Sequence, residues 1–501
     1  MGFVEWCYLS FLIIVTSFRS PTDRSNLHKS GGMASFIETL KSLEGPQQHT
    51  TWNERRDSYK KFVDVDRVRN GPQFPVDLGL EFSELKTKAG QKSIKAYALS
   101  DLHADAEKNQ QWVRANCLKT QEDIDNNVFS VLIIPGDIGS EVDRIESVFE
   151  AVVQSHDAVC YVPGNHEAWR RGTQLGSSTS ATQPELRTST TTRMSADSCS
   201  KIKEVVDVAR ACGVYTGPLR ITLDSTKDLA IEAQVGVRIY PLYSWYHSSW
   251  DSEPDLEHAA FRAVEEAIPF SSKWGDFSMC TWPEKLVRHE DFASTRNNNT
   301  ALAEAWASLN EPFLPPIEEY GLRGSEGNGR AHGERDTIIS FSHFLPRQEL
   351  APEKRFLLEP LLSRVVGSDP LEAQVRRLLP DLHLYGHTHI PLDLELDGVR
   401  YIQWPLGYSR EANMQCSPIR KHKALCVYDS SLVTSGDLSD VGVERGIPPM
   451  LPSVDCAWSQ YYRTQSRNPA VIAPLAPWVL RRLQSFAGFV KGNSEGDDKG
   501  S

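Results

Sequence analysis

The sequence predicts an α/β protein built on a mostly parallel sheet. Short apolar or β-branched runs alternate along the chain with segments of helical periodicity, as is typical of parallel strands that are buried on both faces. Hydrophobic residues make up 40% of the 501 residues and charged residues 24%, which is an ordinary globular composition. These values exclude a fully disordered chain, a collagen and a multi-pass membrane protein.

Five runs are predicted to be buried strands: Ile94–Ser100, Val128–Pro135, Ala158–Pro163, Thr337–Ser342 and Leu382–Tyr385. Helical patterns cover Glu107–Thr120, Val142–Gln154 and Cys199–Cys212. Gly213 follows the last of these, where a glycine that ends a helix is expected.

Composition divides the chain into further segments. Residues 1–33 are predicted to be a leader or an incorrectly assigned start, since Met33 offers a second start. Residues 34–90 are predicted to form a polar N-terminal extension, 91–440 the main domain, and 441–501 a C-terminal extension with a polar tail. Within the main domain, the Ser/Thr/Gln-rich residues 171–200 are predicted to be a mobile loop. Residues 241–335, which are rich in Trp and Pro, are predicted to be an insertion between two halves of the core.

Charge and cysteine content restrict the partners and the compartment. The 54 Lys and Arg residues against 66 Asp and Glu residues give a net charge of −12, which disfavours general binding to nucleic acid or to an anionic membrane. The nine cysteines form no CxxC pair, which favours reduced thiols and a cytoplasmic location. The apolar run 7–18 is too short to span a bilayer, so no integral membrane segment is predicted. Its length suits a signal-peptide core, and a secretory or organellar leader stays open.

Each predicted strand ends in residues that can bind a metal ion. In chain order they are Asp101 and His103, Asp137, Asn165 and His166, His343, and His387 and His389. Sites in open α/β sheets form beyond the carboxyl ends of the strands, so the five ends are expected to meet in one cleft. The spacing of nearly 5 Å between neighbouring strands keeps such a cleft compact. Glycines before Asp137, Asn165 and His387 allow tight turns and a close approach of the backbone.

The residue types select the metal and the reaction. Two carboxylates, one amide oxygen and four imidazoles suit Mn, Fe or Zn better than Ca or Mg. Seven ligands exceed what one tetrahedral ion needs, but they fit two divalent ions that share a bridging carboxylate. Two ions about 3.5–4 Å apart can acidify a bridging water, and the resulting hydroxide can attack phosphorus in line. The chain is therefore predicted to be an enzyme, a metal-dependent phosphoesterase.

The blocks D-x-H, G-D, G-N-H-[ED], H and G-H-x-H, in this order over roughly residues 93–406, resemble those of the calcineurin-like metallophosphoesterase superfamily. The resemblance implies that the main domain, 91–440, is a metallophosphoesterase domain, a four-layer αββα sandwich, here with an insertion and terminal extensions. It implies one ion held by Asp101, His103, Asp137 and His389, and a second held by Asp137, Asn165, His343 and His387. For His166 it implies contact with the phosphoryl oxygen or protonation of the leaving group, so that Asp137 and His166 are the catalytic residues.

Two subfamilies match less well. Protein Ser/Thr phosphatases carry G-D-x-x-D-R-G and L-R-G-N-H-E, where this chain has Ser140, Glu141 and Pro163. Purple acid phosphatases use a tyrosinate iron ligand at the position of Ser140. The chain is closer to the broad phosphohydrolase group, and the substrate is predicted to be a small phosphorylated molecule, either a monoester or a diester.

Three alternatives stay open at this point: a metal-bound scaffold or regulatory protein that does not turn over, a nuclease, and a protein phosphatase. The net charge of −12 weighs against the nuclease. No particular protein partner is indicated.

Three more side chains are candidates for substrate binding: Arg170, His247 and Arg347. Each also has a structural interpretation. Arg170 opens a polar loop, His247 belongs to an aromatic segment that can pack internally, and Arg347 can form a salt bridge. Residues 401–408 are interpreted as a strand and a turn that close a second sheet, and as core more than site.

Overall fold

The structure is a computed structural model, and it describes residues 71–170, 195–224, 236–295, 300–316, 336–409, 411, 423–434, 450–451, 453–454 and 456–494. The predicted leader 1–33 lies outside the described residues. So do residues 34–70 of the predicted extension, 171–194 of the predicted mobile loop, 317–335 of the predicted insertion, 435–449 and the last residues, 495–501.

The described strands form two sheets, one of seven strands and one of four. Their bounds are β1 Ser83–Lys86, β2 Ser93–Ala98, β3 Val128–Pro135, β4 Ala158–Val162, β5 Leu219–Thr222, β6 Gly236–Pro241, β7 Thr337–Phe341, β8 Leu382–Tyr385, β9 Leu392–Leu396, β10 Val399–Gln403 and β11 Leu425–Asp429. The orders are β1-β5-β6-β7-β8-β10-β9 and β11-β2-β3-β4. The central neighbours β2–β3–β4 and β6–β7–β8–β10 are parallel, and antiparallel pairs lie towards the edges. The mixed, mostly parallel α/β prediction is confirmed.

The described α-helices have the bounds α1 Glu107–Asn116, α2 Gln121–Asp125, α3 Val142–Val153, α4 Ser198–Ala211, α5 Ala259–Ala267, α6 Phe270–Lys273, α7 Gly275–Met279, α8 His289–Phe292, α9 Ala301–Ser308, α10 Asp369–Leu378, α11 Ser431–Thr434, α12 Ala457–Thr464 and α13 Pro477–Ser494. Two predictions, one of a helix and one of a loop, need correction. The predicted helix 107–120 ends at Asn116, because the Thr120 hydroxyl accepts the N–H of Asp123 at 3.1 Å and begins α2. Residues 198–200 of the predicted mobile loop are helical, because the Asp197 carboxylate caps α4.

The five predicted strands are all present, as β2, β3, β4, β7 and β8, but they do not share one sheet. The first three belong to the smaller sheet and the last two to the larger one. Every residue of β3, β4 and β8 is buried, which explains why these strands are continuous apolar runs in the sequence. Which sheet such a strand joins depends on distant parts of the chain, and the apolar run itself does not encode it.

Hydrogen bonds join the carboxyl ends of the two sheets. The N–H of Ser100, after β2, donates to the carbonyl of Trp404, after β10, at 3.0 Å. The N–H of His387, after β8, donates to the Asp101 carboxylate at 2.8 Å. The predicted cleft therefore lies where the strand ends of both sheets meet, instead of along the edge of one sheet.

The predicted insertion and N-terminal extension pack into the same core. Trp306 of α9 is fully buried, and its ring stacks on Trp245, which follows β6, with centroids 5.5 Å apart. Phe74, in the predicted extension, meets Trp306 edge-on at 5.1 Å. Strand β1, also in that extension, pairs in parallel with β5.

Seven cysteines lie in the described part, and all seven are free thiols: Cys117, Cys160, Cys199, Cys212, Cys280, Cys426 and Cys456. Among the described helices, none has both the length and the apolar character needed to cross a membrane.

We expect Trp306→Ala to lower the free energy of unfolding by about 3–5 kcal/mol, because it leaves a cavity where the extension, the insertion and the sheet meet. Urea unfolding followed by far-UV circular dichroism measures the change. The control is Ile124→Ala on α2, where the side chain is 51% exposed and the expected change is below about 0.5 kcal/mol. Equal unfolding midpoints for the two variants would contradict this view of the core.

Candidate metal centre

The loops that follow five strands carry the predicted metal ligands into one buried region. Asp101 and His103 follow β2, Asp137 follows β3, and Asn165 follows β4. His343 follows β7, and His387 and His389 follow β8. All seven are 5% exposed or less, except His389, which is half-buried. Their donor atoms gather in two neighbouring clusters.

The first cluster contains Asp101, His103 and His389. The Nε2 atoms of the two histidines lie 2.8 Å apart, and Asp101 Oδ1 lies 3.5 Å from His389 Nε2. The second cluster contains Asp137, Asn165, His343 and His387. Asn165 Oδ1 lies 3.0 Å from both His343 Nε2 and His387 Nδ1, and these two nitrogens are 3.1 Å apart.

Asp137 lies between the clusters. Its Oδ1 is 3.4 Å from His343 Nε2 in the second cluster. The same carboxylate groups with His103 and His166, on the side of the first cluster. Burial, together with the carboxylates of Glu167 and Asp101, raises the pKa of Asp137 well above its usual value. A cation on each side would offset that penalty for the charged form.

The outer hydrogen bonds of the second cluster fix the imidazole tautomers. His343 Nδ1 lies 3.0 Å from the carbonyl of Pro135, and His387 Nε2 lies 3.0 Å from the carbonyl of Val365. Because a carbonyl only accepts, each ring carries its N–H on that side and turns a lone pair towards the Asn165 oxygen. Burial lowers the pKa of His343 to about 4 and that of His387 well below its usual value, so both rings are neutral, the form that binds metals.

The donor set fits a divalent cation. Three lone-pair atoms within about 3 Å of one another repel unless they share a positive ion. Ligand atoms bonded at about 2.1 Å and at right angles lie about 3 Å apart, which is the spacing found here. His389 provides the corresponding geometry in the first cluster. Its Nδ1 lies 3.1 Å from both Glu411 oxygens, so that Nε2 faces Asp101. Burial opposes a charge on His389, but Glu411 and Asp101 raise its pKa well above the usual value.

Backbone conformation sets several of these residues apart from most other described residues. Eight described residues other than glycine have a positive φ, and five of them are predicted ligands: Asp101 at 54°, His103 at 44°, Asp137 at 54°, His387 at 76° and His389 at 54°. Each costs about 1–2 kcal/mol relative to an ordinary conformation. Such strain persists only where surrounding contacts hold it, and it concentrates at functional sites.

Glu167 supplies much of that restraint. Its buried carboxylate accepts the N–H groups of Asp137 at 3.1 Å, Ile138 at 2.6 Å, Gly139 at 3.2 Å and Gly164 at 2.7 Å. Burial raises its pKa to about 7, while these four donors act in the opposite direction. The loops after β3 and β4 are therefore tied to one side chain. The sequence places Glu167 in the G-N-H-E block but does not indicate this role.

His166, the predicted non-ligand histidine, sits beside the clusters. Its Nε2 is 3.8 Å from Asp137 Oδ2, and its backbone N–H donates to Asp137 Oδ1 at 3.0 Å. The indole of Trp169 stacks on the ring with centroids 3.8 Å apart. Burial, and then the neighbouring histidines, lower the pKa of His166 well below its usual value.

Tyr408 is a contact that the sequence interpretation misses. β10 is a strand as predicted, but Tyr408 lies beyond it and its ring stacks on His103 with centroids 4.0 Å apart. Its hydroxyl is 3.2 Å from His166 Nε2. The interpretation of residues 401–408 as core more than site does not predict these contacts of Tyr408. An aromatic residue in an apolar run carries no sequence signal that distinguishes core from site.

The three substrate-binding candidates have different surroundings. Arg347 is buried, and its guanidinium pairs with Glu349 at 3.0 Å and with Asp397. His247 lies 2.9 Å from the Ser249 hydroxyl through Nδ1, and its Nε2 accepts the N–H of Asp369 at 3.2 Å. Neither belongs to the two clusters, and these contacts favour structural roles.

Arg170 differs from the other two. It lies four residues beyond His166, and its backbone N–H donates to the carbonyl of Met279 at 2.8 Å. Its Nε is buried without a hydrogen-bond partner among the described residues.

Comparisons with known proteins leave the family open. No protein-family model matches the chain, and no curated protein sequence does. Solved structures do match. One is a phosphopantetheinyl hydrolase from Mycobacterium tuberculosis, at 18% identity and a TM-score of 0.43, over 67% of this chain and 96% of that one. Another, at 9% identity and a TM-score of 0.28, covers 63% of this chain and 91% of its own. Similarity at this level does not define what the chain binds or does.

We expect Gly164→Ala to weaken metal binding by about 10–100-fold, the range found when a contact that supports a metal ligand is lost. A Cβ at this position would lie 2.2 Å from Asp137 Oδ1 and 2.8 Å from the His343 ring, so the ligands must move. Titration calorimetry with Mn²⁺ measures the affinity. Gly213→Ala is the control, because its φ of +86° strains the backbone while a Cβ meets nothing within 4 Å. Unchanged metal binding by Gly164→Ala would contradict the proposed cluster geometry.

Proposed function

We propose that this protein is a metal-dependent phosphoesterase with a two-ion centre, a four-layer member of the calcineurin-like metallophosphoesterase superfamily. The observation that carries the proposal is the position of Asp137 between two clusters of ligand atoms that are spaced for one cation each. A single structural ion would need only one cluster. The geometry of the donor atoms supports the proposal, and the weak similarity to solved structures is not used for it.

The ligands divide between the two ions as the clusters do. Asp101, His103 and His389 would hold one ion, Asn165, His343 and His387 the other, and Asp137 both. Manganese, iron and zinc suit this mixture of carboxylate, amide and imidazole donors. When bound, the ions would supply Lewis acidity and lower the pKa of the water molecule that attacks phosphorus in line.

The protein's own contribution is to hold the ligands before substrate arrives. The positive φ of Asp101, Asp137 and His387 points their side chains at the cleft, and the Glu167 carboxylate keeps the β3 and β4 loops in place. Because the strain is stored in the fold, little reorganisation is left for the reaction itself.

His166 would donate a proton to the bound phosphate or to the leaving group. Its Nε2 faces the cleft between Asp137 Oδ2 and the Tyr408 hydroxyl, and Trp169 fixes the ring plane. Without substrate, burial keeps the imidazole neutral. A phosphate anion at this position favours the charged imidazole, which can donate from Nε2 to a phosphoryl oxygen or to the leaving group.

The substrate class is a small phosphorylated molecule. The net charge of −12 disfavours a polyanionic nucleic acid, and Ser140, Glu141 and Pro163 replace residues of the protein phosphatase motifs. A monoester and a diester differ in charge and in leaving group, so artificial substrates distinguish them directly.

The metal-stripped protein is expected to regain hydrolysis of p-nitrophenyl phosphate or bis-p-nitrophenyl phosphate on addition of Mn²⁺, Fe²⁺ or Zn²⁺. Asp137→Asn should lose nearly all turnover and the ability to hold two ions, since it removes the shared carboxylate. The matched control is Asp143→Asn, an exposed residue on α3. Full activity and two bound ions in Asp137→Asn would show that the centre is wrongly assigned.

His166→Ala is expected to retain both ions and to lose about 10²–10⁴-fold in kcat, the range for removal of a general acid or base. His289→Ala, at an exposed position on α8, is the control for the substitution. Metal content and kcat measured on the same preparation separate the two effects. Stoichiometric binding of two ions by the unaltered protein, with no turnover under any metal, would instead support the scaffold alternative.

A further inference from the structure

The insertion reaches the metal centre through the short helix α7. Asp276 in this helix is fully buried, and its Oδ1 accepts two hydrogen bonds. The first comes from Asn165 Nδ2 at 2.8 Å, and the second from the indole N–H of Trp169 at 2.6 Å. One carboxylate oxygen of the insertion thus contacts both the amide of a proposed metal ligand and the ring that stacks on His166.

The contact matters because a side-chain amide can face either way. Asn165 Oδ1 points at His343 Nε2 and His387 Nδ1, each 3.0 Å away, where the oxygen can bind a cation. The reversed amide would direct its NH₂ group at the same place, and an amide nitrogen with two hydrogens repels a cation. The carbonyls of Pro135 and Val365 hold the two neutral imidazoles with their lone pairs inward, so the rings by themselves would favour the NH₂ group at this place. A carboxylate on the other side accepts only, and so it selects the orientation with NH₂ outward.

Other hydrogen bonds also hold α7 in its position. The carbonyl of Met279, at the end of the helix, accepts the N–H of Arg170 at 2.8 Å. Two residues later, the carbonyl of Thr281 accepts the N–H of Ser198 at 2.7 Å, and the N–H of Thr281 donates to the Ser198 hydroxyl oxygen at 2.9 Å. The insertion is therefore fastened to the loop after β4 and to the start of α4 by other bonds. A change at Asp276 is expected to alter the amide and leave the helix in place.

We propose that Asp276 is a positioning residue of the metal centre, which acts through Asn165 to present an oxygen, and not an NH₂ group, to the cation of the second cluster. The inference rests on the proposed function, because it requires a cation held by Asn165, His343 and His387. Asp276 itself belongs to neither cluster of donor atoms. The same Asp276 oxygen also accepts the indole N–H of Trp169, and the Trp169 ring stacks on His166.

Asp276→Leu and Asp276→Asn test the proposal. Leucine removes the acceptor, so titration calorimetry with Mn²⁺ should show one ion bound as in the unaltered protein and one bound about 10–100-fold more weakly. Asparagine keeps an acceptor oxygen, so its binding should stay close to that of the unaltered protein. Wild-type affinity for both ions in the leucine variant would overturn the proposal. So would an equal loss in the asparagine variant, because the role would then be the charge and not the hydrogen bond.

Exchanging the side chains of residues 165 and 276 tests the proposal a second time, and this test does not require the leucine variant to fold. Asn165→Asp alone brings two carboxylates together without a donor between them, and binding of the second ion should weaken. Asn165→Asp combined with Asp276→Asn restores one donor and one acceptor in reversed positions, with a carboxylate now facing the two imidazoles. Recovery of the second ion in the double variant is expected. A double variant no better than the single one would contradict the positioning role.

Two controls separate the contacts. Ser278→Ala changes an exposed residue of α7 whose hydroxyl donates only to Gly275, and it should bind both ions normally. Trp169→Phe removes the indole donor but leaves Asp276 bonded to Asn165, so metal affinity should persist. If the unaltered protein binds two ions without hydrolysing esters, the phosphoesterase proposal fails while the metal-binding test of Asp276 stands. If it binds none, both fail.

Discussion

The fold around the centre is organised by the repulsion among lone pairs that are gathered in a buried space. Asn165 Oδ1, His343 Nε2 and His387 Nδ1 lie within 3.1 Å of one another, and hydrogen bonds on the far side of each group prevent it from turning a donor inward. Folding without a cation must bear that repulsion. The arrangement becomes favourable when a positive ion is shared, so without one the surrounding hydrogen bonds must hold the donor groups in place.

Strain and restraint are balanced locally. The left-handed residues Asp101, Asp137 and His387 would relax to ordinary conformations if they were free, and then the ligands would point away from the cleft. Glu167 prevents this for Asp137 by accepting its N–H, and the Asp101 carboxylate does the same for His387. A carboxylate of the smaller sheet thus restrains a ligand of the larger one. Because the bond from His387 to Asp101 crosses between the sheets, the centre also joins the two halves of the fold.

The sequence predicts what local patterns determine. Strands β3 and β8 have their predicted bounds, since a strand covered on both faces must be apolar throughout. The division of the strands between two sheets depends on distant partners, and the residue pattern of one run does not encode it. The same holds for side chains that meet across the fold: Glu411 and Tyr408 carry no motif that links them to His389 and His166. Glycine spacing and ligand type are local features, so the sequence indicates the candidate ligands but not the contacts that support them.

The described part of the predicted insertion packs against the second cluster and is not separate from it in structure. Tyr246 and Trp274 place their rings 6.4 Å and 5.9 Å from that of His387, and Asp276 bonds to Asn165. These groups cover the outer side of the second cluster with low-dielectric side chains and one acceptor. Water excluded from that side could not screen the charge of a cation, so a cation held there would interact more strongly with Asp137 than at an open surface. A segment without a readable pattern thus contributes to the electrostatic environment of the second cluster, and it would affect a cation held there more than one held by the first cluster.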